Sequence, residues 1–295
     1  MPTTTPDPLN LRVPASKTGL MSLLQTIVAH GATHWVGGQI TPEKLPRLAA
    51  KFALAYPICR DTRGRTYDKS VGRAVVTLVV FPGESAWWWL LSTPGKGGLA
   101  DPAGPDFKVV KDALVAGEHI VFEDYRLVYA TKKEKKEVVD RKTGSKKVIF
   151  SSLSTWTWQL TKEAMGECRA AIGEQCRNMA WGVRDPDKRP YGIRTYLAQQ
   201  ARRPLFSGVR SQVLELNRYA HEQWGGVLAL WRARNPTLVA RDGERAGTLV
   251  PLNDVVAGLA KMRRLPVYGD VPGTIRDISK IQPPQNDKAN CNQGI

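Results

Sequence analysis

Three stretches of the chain concentrate basic side chains at spacings suited to a phosphate backbone. Residues 131–147 hold Lys132, Lys133, Lys135, Lys136, Arg141, Lys142, Lys146 and Lys147, eight bases against Glu134, Glu137 and Asp140. Taken as a flexible finger between two strands, this segment would lie along a row of phosphates and release their counterions. Taken as a solvated loop, it would only discourage edge pairing. Residues 177–210 carry Arg177, Arg184, Lys188, Arg189, Arg194, Arg202, Arg203 and Arg210, with Trp181, Tyr191 and Tyr196 interleaved. Guanidinium forks grip phosphate in pairs of bonds, and neighbouring aromatic rings stack on bases. The competing reading makes Trp181 and Tyr196 core residues whose basic neighbours extend to water. The third stretch is a connector with Arg60, Arg63, Arg65, Lys69 and Arg73, in which Arg63-Gly64-Arg65 reads as a mobile turn.

Other candidate chemistry is less complete. Lys96 sits in Pro94-Gly95-Lys96-Gly97-Gly98, but a phosphate loop would need Gly where Leu90 stands and Ser or Thr where Gly97 stands. A backbone nest touching one phosphate is the remaining functional reading of that loop. Trp87-Trp88-Trp89 and Trp156-Thr157-Trp158 would each place two indoles on one strand face. Core packing is the favoured reading of both, with base stacking the alternative. His30 and His34 have the spacing of a metal pair only if one helix carries both, and Gly31 between them argues against that. His119 and His221 are isolated. A divalent-metal nuclease would draw on Asp106, or on Glu123 and Asp124 with Lys132 downstream. No Ser–His–Asp or Cys–His set can be deduced from spacing. No cofactor or metal centre is expected.

The composition supports a polyanion as partner. The 295 residues carry a formal net charge of +16, and 42% are apolar. Clustered positive charge of this size attracts nucleic acid first and anionic membrane surfaces second. The apolar fraction excludes a disordered chain, and four cysteines without a Cys-x-x-Cys pair exclude a disulfide scaffold. A reduced, cytoplasmic compartment is the simplest setting for Cys59, Cys168, Cys176 and Cys291. No run of about 18 apolar residues occurs, so no membrane-spanning segment is expected. The richness in Arg, Ala, Gly and Pro points to a GC-rich bacterial or phage genome.

The elements that must position these residues follow from hydrophobic period. A first helix is predicted over 18–31 from Leu20, Leu23, Leu24, Ile27 and Val28. A second, from Thr41 and Pro42 to Pro57, carries Leu45, Leu48, Phe52 and Tyr56. Residues 74–81 and 86–91 read as a hairpin around Pro82-Gly83, and 94–105 as a loop. A short helix is predicted over 107–116 with Asp106 as cap, then strands over 120–129 and 148–160. Helices are expected from a Thr161 cap to about Met179, over 193–200, over 207–232 with a kink at Gly225-Gly226, and over 252–264. The fold class expected is α+β. A central antiparallel sheet of about four strands, in the order β-β-α-β-β, would be flanked by N-terminal helices and a C-terminal helical region. The domain expectation is a flexible lead 1–17, an α+β domain 18–160, a helical region 161–265 and an extended or disordered tail 266–295.

The expected function is nucleic-acid binding, DNA or RNA, through a composite basic surface that contacts the phosphate backbone. The protein would act as a subunit of a larger nucleoprotein assembly in replication, transfer or guide-RNA-type recognition, with other protein subunits and no membrane as partner. The alternatives are a divalent-metal nuclease or nucleotidyl-transfer enzyme, and a protein–protein scaffold with incidental charge.

Overall fold

The structure, a computed structural model, describes residues 7–103, 110–139, 146–180, 193–234 and 273–278. The chain is mixed helix and antiparallel sheet, an α+β fold, and it divides into two units. One comprises residues 1–119 with 266–295, the other residues 120–265. The segment 18–160 therefore contributes to both units, and the last thirty residues belong with the first.

In the first unit, Ser16 caps helix α1 (Lys17–Ala29) by accepting from the Gly19 amide at 3.1 Å. Its apolar stripe buries Leu20, Met21, Leu24 and Val28. A short 3-10 turn after Thr41 leads into α2 (Leu45–Ala55), and Tyr56 closes it. Leu45, Ala49, Phe52 and Tyr56 are buried against one sheet face, where Val36, Val76, Leu78, Val80 and Leu90 meet them. Burying a ring such as Phe52 contributes about 1.5–3 kcal/mol over leaving it in water.

The predicted hairpin forms as β3 (Val76–Phe81) and β4 (Ala86–Ser92). Its sheet has the order β3-β4-β2-β5, where β2 is His34–Ile40 and β5 is Lys111–Asp112. Strand β2 was not legible in the sequence, because Gly37-Gly38 breaks its alternation of apolar and polar residues. Gly37 is required there by close approach: a Cβ would lie 2.8 Å from the Trp88 carbonyl oxygen and 2.9 Å from Cδ1 of Trp89. The helix predicted over 107–116 is corrected at its described part. Lys111 and Asp112 pair with Trp35 and His34, and the Asp112 amide donates to Glu118 Oε2 at 2.7 Å. Lys111 stands over the Trp35 ring at 5.0 Å, so the edge strand completes the ladder of β2 and covers its indole.

Residues 273–278 of the tail are ordered. Strand β9 (Gly273–Thr274) pairs antiparallel with β1 (Arg12–Val13), and a single helical turn, α7 (Ile275–Ile278), buries Ile275 in the first unit's core. Arg276 joins Asp7 at 2.5 Å.

The second unit holds a separate sheet, β6 (Val121–Phe122), β7 (Tyr125–Val139) and β8 (Lys146–Leu160), in that order. The expected four-stranded antiparallel sheet is present in the first unit, but the strands predicted over 120–129 and 148–160 do not join it and pair instead in this separate sheet. The pairing of β7 with β8 runs without a break from Tyr125↔Leu160 to Val139↔Lys146. Residues 131–139 are therefore part of a two-stranded ribbon, not of a flexible finger. The return segment 146–150 (Lys-Lys-Val-Ile-Phe) contains β-branched and aromatic residues that favour strand geometry, and the charge count obscured this.

Helix α4 (Lys162–Ala180) starts at the predicted cap, with Thr161 Oγ1 accepting from the Ala164 amide at 3.2 Å. Helices α5 (Ile193–Gln200) and α6 (Ser207–Arg234) also match the pattern. α6 runs through Gly225-Gly226 as one continuous helix, since each remains within its hydrogen-bonded span. Its buried residues Val209, Val213, Leu216 and Ala220 recur at helical spacing. The first turn of α6 sits directly on β8: the Gly208 amide donates to Thr157 Oγ1 at 2.9 Å, and Gln212 bonds both the amide and the carbonyl of Leu160, at 2.7 and 3.2 Å. A Cβ on Gly208 would overlap the Trp158 carbonyl oxygen. The predicted helix over 252–264 lies outside the described residues, as does the loop 181–190.

Candidate functional site

The connector 60–73 is a helix at its centre, α3 (Thr62–Ser70). Asp61 caps it by accepting from the Gly64 amide at 2.7 Å, so Arg63-Gly64-Arg65 is a first helical turn and not a mobile one. On the buried side of this helix stands its own Asp68, only 3% exposed. Arg60 grips this carboxylate with Nε at 3.0 Å and Nη2 at 3.2 Å, and Arg73 Nη1 stands 4.0 Å away. The bonds from Arg60 hold the Asp68 carboxyl below the usual range and raise the Arg60 guanidinium in return. The Arg73 amide also donates to the Asp68 carbonyl at 2.8 Å. Arg60 is thus a clasp across α3, with its charge matched internally.

Lys96 joins this patch through backbone pairing. Its amide donates to the Gly72 carbonyl at 3.1 Å and its carbonyl accepts from the Ala74 amide at 3.0 Å, beside Arg73. The nest reading of its loop meets amides that are already engaged: Lys96 donates to Gly72, Gly98 to the Gly95 carbonyl at 3.3 Å, and Gly97 to Asp101. Gly97 donates to Oδ2 at 2.5 Å and Ala103 to Oδ1 at 3.0 Å. Those two bonds, with a smaller contribution from Lys96, hold the Asp101 carboxyl below its ordinary value.

One face of α3 lines a cleft of about 360 Å³. Thr62, Arg65, Thr66 and Lys69 follow the i, i+3, i+4, i+7 spacing of a single helical face. Opposite stand Thr26, Ile27 and His30 at the end of α1, then Ala32, Thr77 on β3, and Val75 and Thr93 just before β3 and just after β4. Lys69 Nζ donates to the His30 carbonyl at 3.2 Å, and Arg65 Nε donates to the Arg60 carbonyl at 3.0 Å. Among the described residues, neither cation has a carboxylate partner. Thr93 Oγ1 accepts from the Val75 amide at 2.9 Å, which leaves its own proton to donate. The hydroxyls of Thr62 and Thr77 have no partner among the described residues. Two cations, uncommitted hydroxyls and an apolar floor make a place for an anion attached to a less polar body. Sequence reading missed the threonines and weighed His30 only as a metal ligand. The signal was the Asp61 cap, which turns an apparent loop into a helix with one polar face.

In the second unit the bases are differently placed. Lys132, Lys133, Lys135, Lys136, Lys146 and Lys147 occupy ladder positions on β7 and β8. The strand period of two puts Lys133 and Lys135 at positions of one face and Lys132 and Lys136 at positions of the other. Arg141 and Lys142 lie outside the described residues, as do Arg184, Lys188 and Arg189. Arg177 and Arg202 are exposed, Arg210 is half-buried on α6, and Arg194 stands on α5. Arg203 is engaged internally: Nη1 donates to Asp124 Oδ2 at 3.1 Å and to the Tyr125 hydroxyl at 3.2 Å, and Nε to Gln200 Oε1 at 2.6 Å. The described basic residues of 177–210 are therefore divided among three helices and the turn between α5 and α6, with Arg203 matched by the protein's own acceptors.

The aromatic residues divide in favour of core packing. Trp89, Trp156 and Trp158 are buried, Trp87 stacks on Trp89 at 5.8 Å, and Trp88 meets Phe52 at 5.3 Å on the opposite face. Burial pushes the Tyr196 hydroxyl up, beside Cys168; Trp181 and Tyr191 lie outside the described residues. The carboxylates weighed for metal chemistry are not on a strand as expected. Glu123 and Asp124 form the turn between β6 and β7, with Glu123 at φ 49°, and Asp124 pairs with Arg203. Asp106 lies outside the described residues. His30 follows the end of α1 and His34 stands on β2, so the helical pair does not form. His119 Nδ1 lies 3.2 Å from the Ala113 carbonyl, and His221 is exposed on α6. Among the described residues no helix is long and apolar enough to cross a membrane. Compared with known proteins, the chain matches no family model, no curated protein and no solved structure.

Proposed function

We propose that the protein binds nucleic acid by contacts to the sugar–phosphate backbone. The reading includes a place in a larger nucleoprotein assembly serving replication, transfer or guide-RNA-type recognition, with other subunits as partners. The observation that carries it is the patch built on α3. Arg63, Arg65, Lys69 and Lys96 have no ion pair among the described residues, and Arg73 reaches only a carboxylate that Arg60 already grips. Such uncompensated cations attract a polyanion, and each phosphate met releases counterions. The lysine positions of the β7–β8 ribbon and the exposed Arg177 and Arg202 supply further charge in the second unit. A cytoplasmic setting goes with this reading, and the free thiols of Cys59, Cys168 and Cys176 support it.

Fluorescence anisotropy with labelled single- and double-stranded DNA and RNA, at two salt concentrations, tests the proposal. Binding that weakens steeply with salt is expected. Micromolar-or-weaker, salt-insensitive binding to every strand offered would refute it.

A further inference from the structure

We infer that the cleft between α1 and α3 is a nucleoside-monophosphate site, holding a phosphomonoester on Arg65 and Lys69. The inference deepens the backbone-contact reading and rests on it to the extent that these two cations serve both. Three observations define the ligand class. First, the cations come from successive turns of one helix and have no carboxylate among the described residues to neutralise them. A dianionic phosphate, with its several acceptor oxygens, suits two cationic donors and adjacent hydroxyls better than a monocarboxylate does. Second, Thr77 and Thr93 stand on the strand wall with hydroxyl protons that no described residue accepts. Third, the cleft measures about 360 Å³. That lies within the range of small-ligand sites, about 300–1,000 Å³, and exceeds what a lone phosphate fills. Ile27, Ala32 and Val75 provide apolar surface for the sugar and base.

The nucleotide could be free or could be the 5′-phosphorylated end of a strand, and the test separates the two. The full chain is titrated with inorganic phosphate, with each of the four nucleoside monophosphates, and with two oligonucleotides identical except for a 5′-phosphate or 5′-hydroxyl. If the site receives a strand end, the phosphorylated strand binds roughly tenfold or more tighter, in line with one to two charge-assisted bonds. Monophosphates then compete for the difference. If the site takes only free nucleotide, monophosphates bind and the two strands are equal. In both cases Lys69→Ala and the near-isosteric Thr77→Val weaken nucleotide binding, whereas Lys96→Ala lowers affinity for both strands alike. Equal strands together with no monophosphate binding overturn the inference, and leave the backbone reading intact if both strands still bind with salt dependence. Monophosphate binding with no strand binding keeps the site and removes the backbone reading.

Discussion

The structure sorts the predicted basic residues into engaged and free, and that sorting has a measurable consequence. Each phosphate neutralised contributes about 0.9 to the slope of log affinity against log salt on duplex DNA, and about 0.7 on single strands. Arg63 and Lys96 are exposed and without an ion pair among the described residues. The double variant Arg63→Ala/Lys96→Ala should therefore flatten the slope by about 1.8 on duplex and about 1.4 on single strands. Between about 50 and 200 mM salt, the wild type would lose roughly twelvefold more duplex affinity than the variant. Arg203 behaves oppositely. It is bound to Asp124, Tyr125 and Gln200, so Arg203→Gln should leave the slope unchanged. The same change should destabilise the fold by about 1–2 kcal/mol, the lower figure reflecting the half-exposed Asp124. Anisotropy titrations across a salt series give the slopes, and urea unfolding gives the stability. If Arg203→Gln flattened the slope as much as either Arg63→Ala or Lys96→Ala, the division into engaged and free cations would be wrong.

Asp68→Asn removes the charge from a buried, bidentate pair whose arginine is half exposed, and should cost about 1–2 kcal/mol in urea unfolding. Because the Asp68 carboxyl is held below its ordinary value, the stabilisation is fully present above about pH 4 and is lost as pH falls through the depressed value. The gap between wild type and variant should close at the acid end, and a gap that persisted there would argue against the pairing. Gly208→Ala and Gly225→Ala should act in opposite directions on the same helix. The first forces a Cβ into a backbone carbonyl and costs about 3 kcal/mol, while the second meets nothing within 4 Å and gains about 0.5–1 kcal/mol, both read as shifts of the denaturation midpoint. Burial pushes the Cys176 thiol up to about 11, so peptide mapping after iodoacetamide treatment should find it unlabelled in the native protein and labelled once unfolded.

Helices α1, α2, α4, α5 and α6 and the β3–β4 hairpin were legible because each carries its own local signal. A stripe at helical spacing or a β-branched run beside a Pro-Gly turn reports which face will be buried, whatever it is buried against. α3 was not legible in that way, since its exposed polar face offers no apolar period and only the Asp61 cap marks it. Strands β2 and β5 depend on partners distant in sequence: Gly37 is a strand residue only because the Trp88 and Trp89 backbone and ring close over it. The charged ribbon shows the same limit, for residue type sets charge locally whereas ladder pairing is decided across the sheet.

Net charge, the α+β class and the identity of the basic residues are properties of composition and short-range pattern, and the chain alone determined them. Which cations remain available to a partner was decided by tertiary structure. An ion pair such as Arg60–Asp68 or Arg203–Asp124 depends on distances of a few ångström between residues set 8 and 79 positions apart, and only the fold brings those distances about.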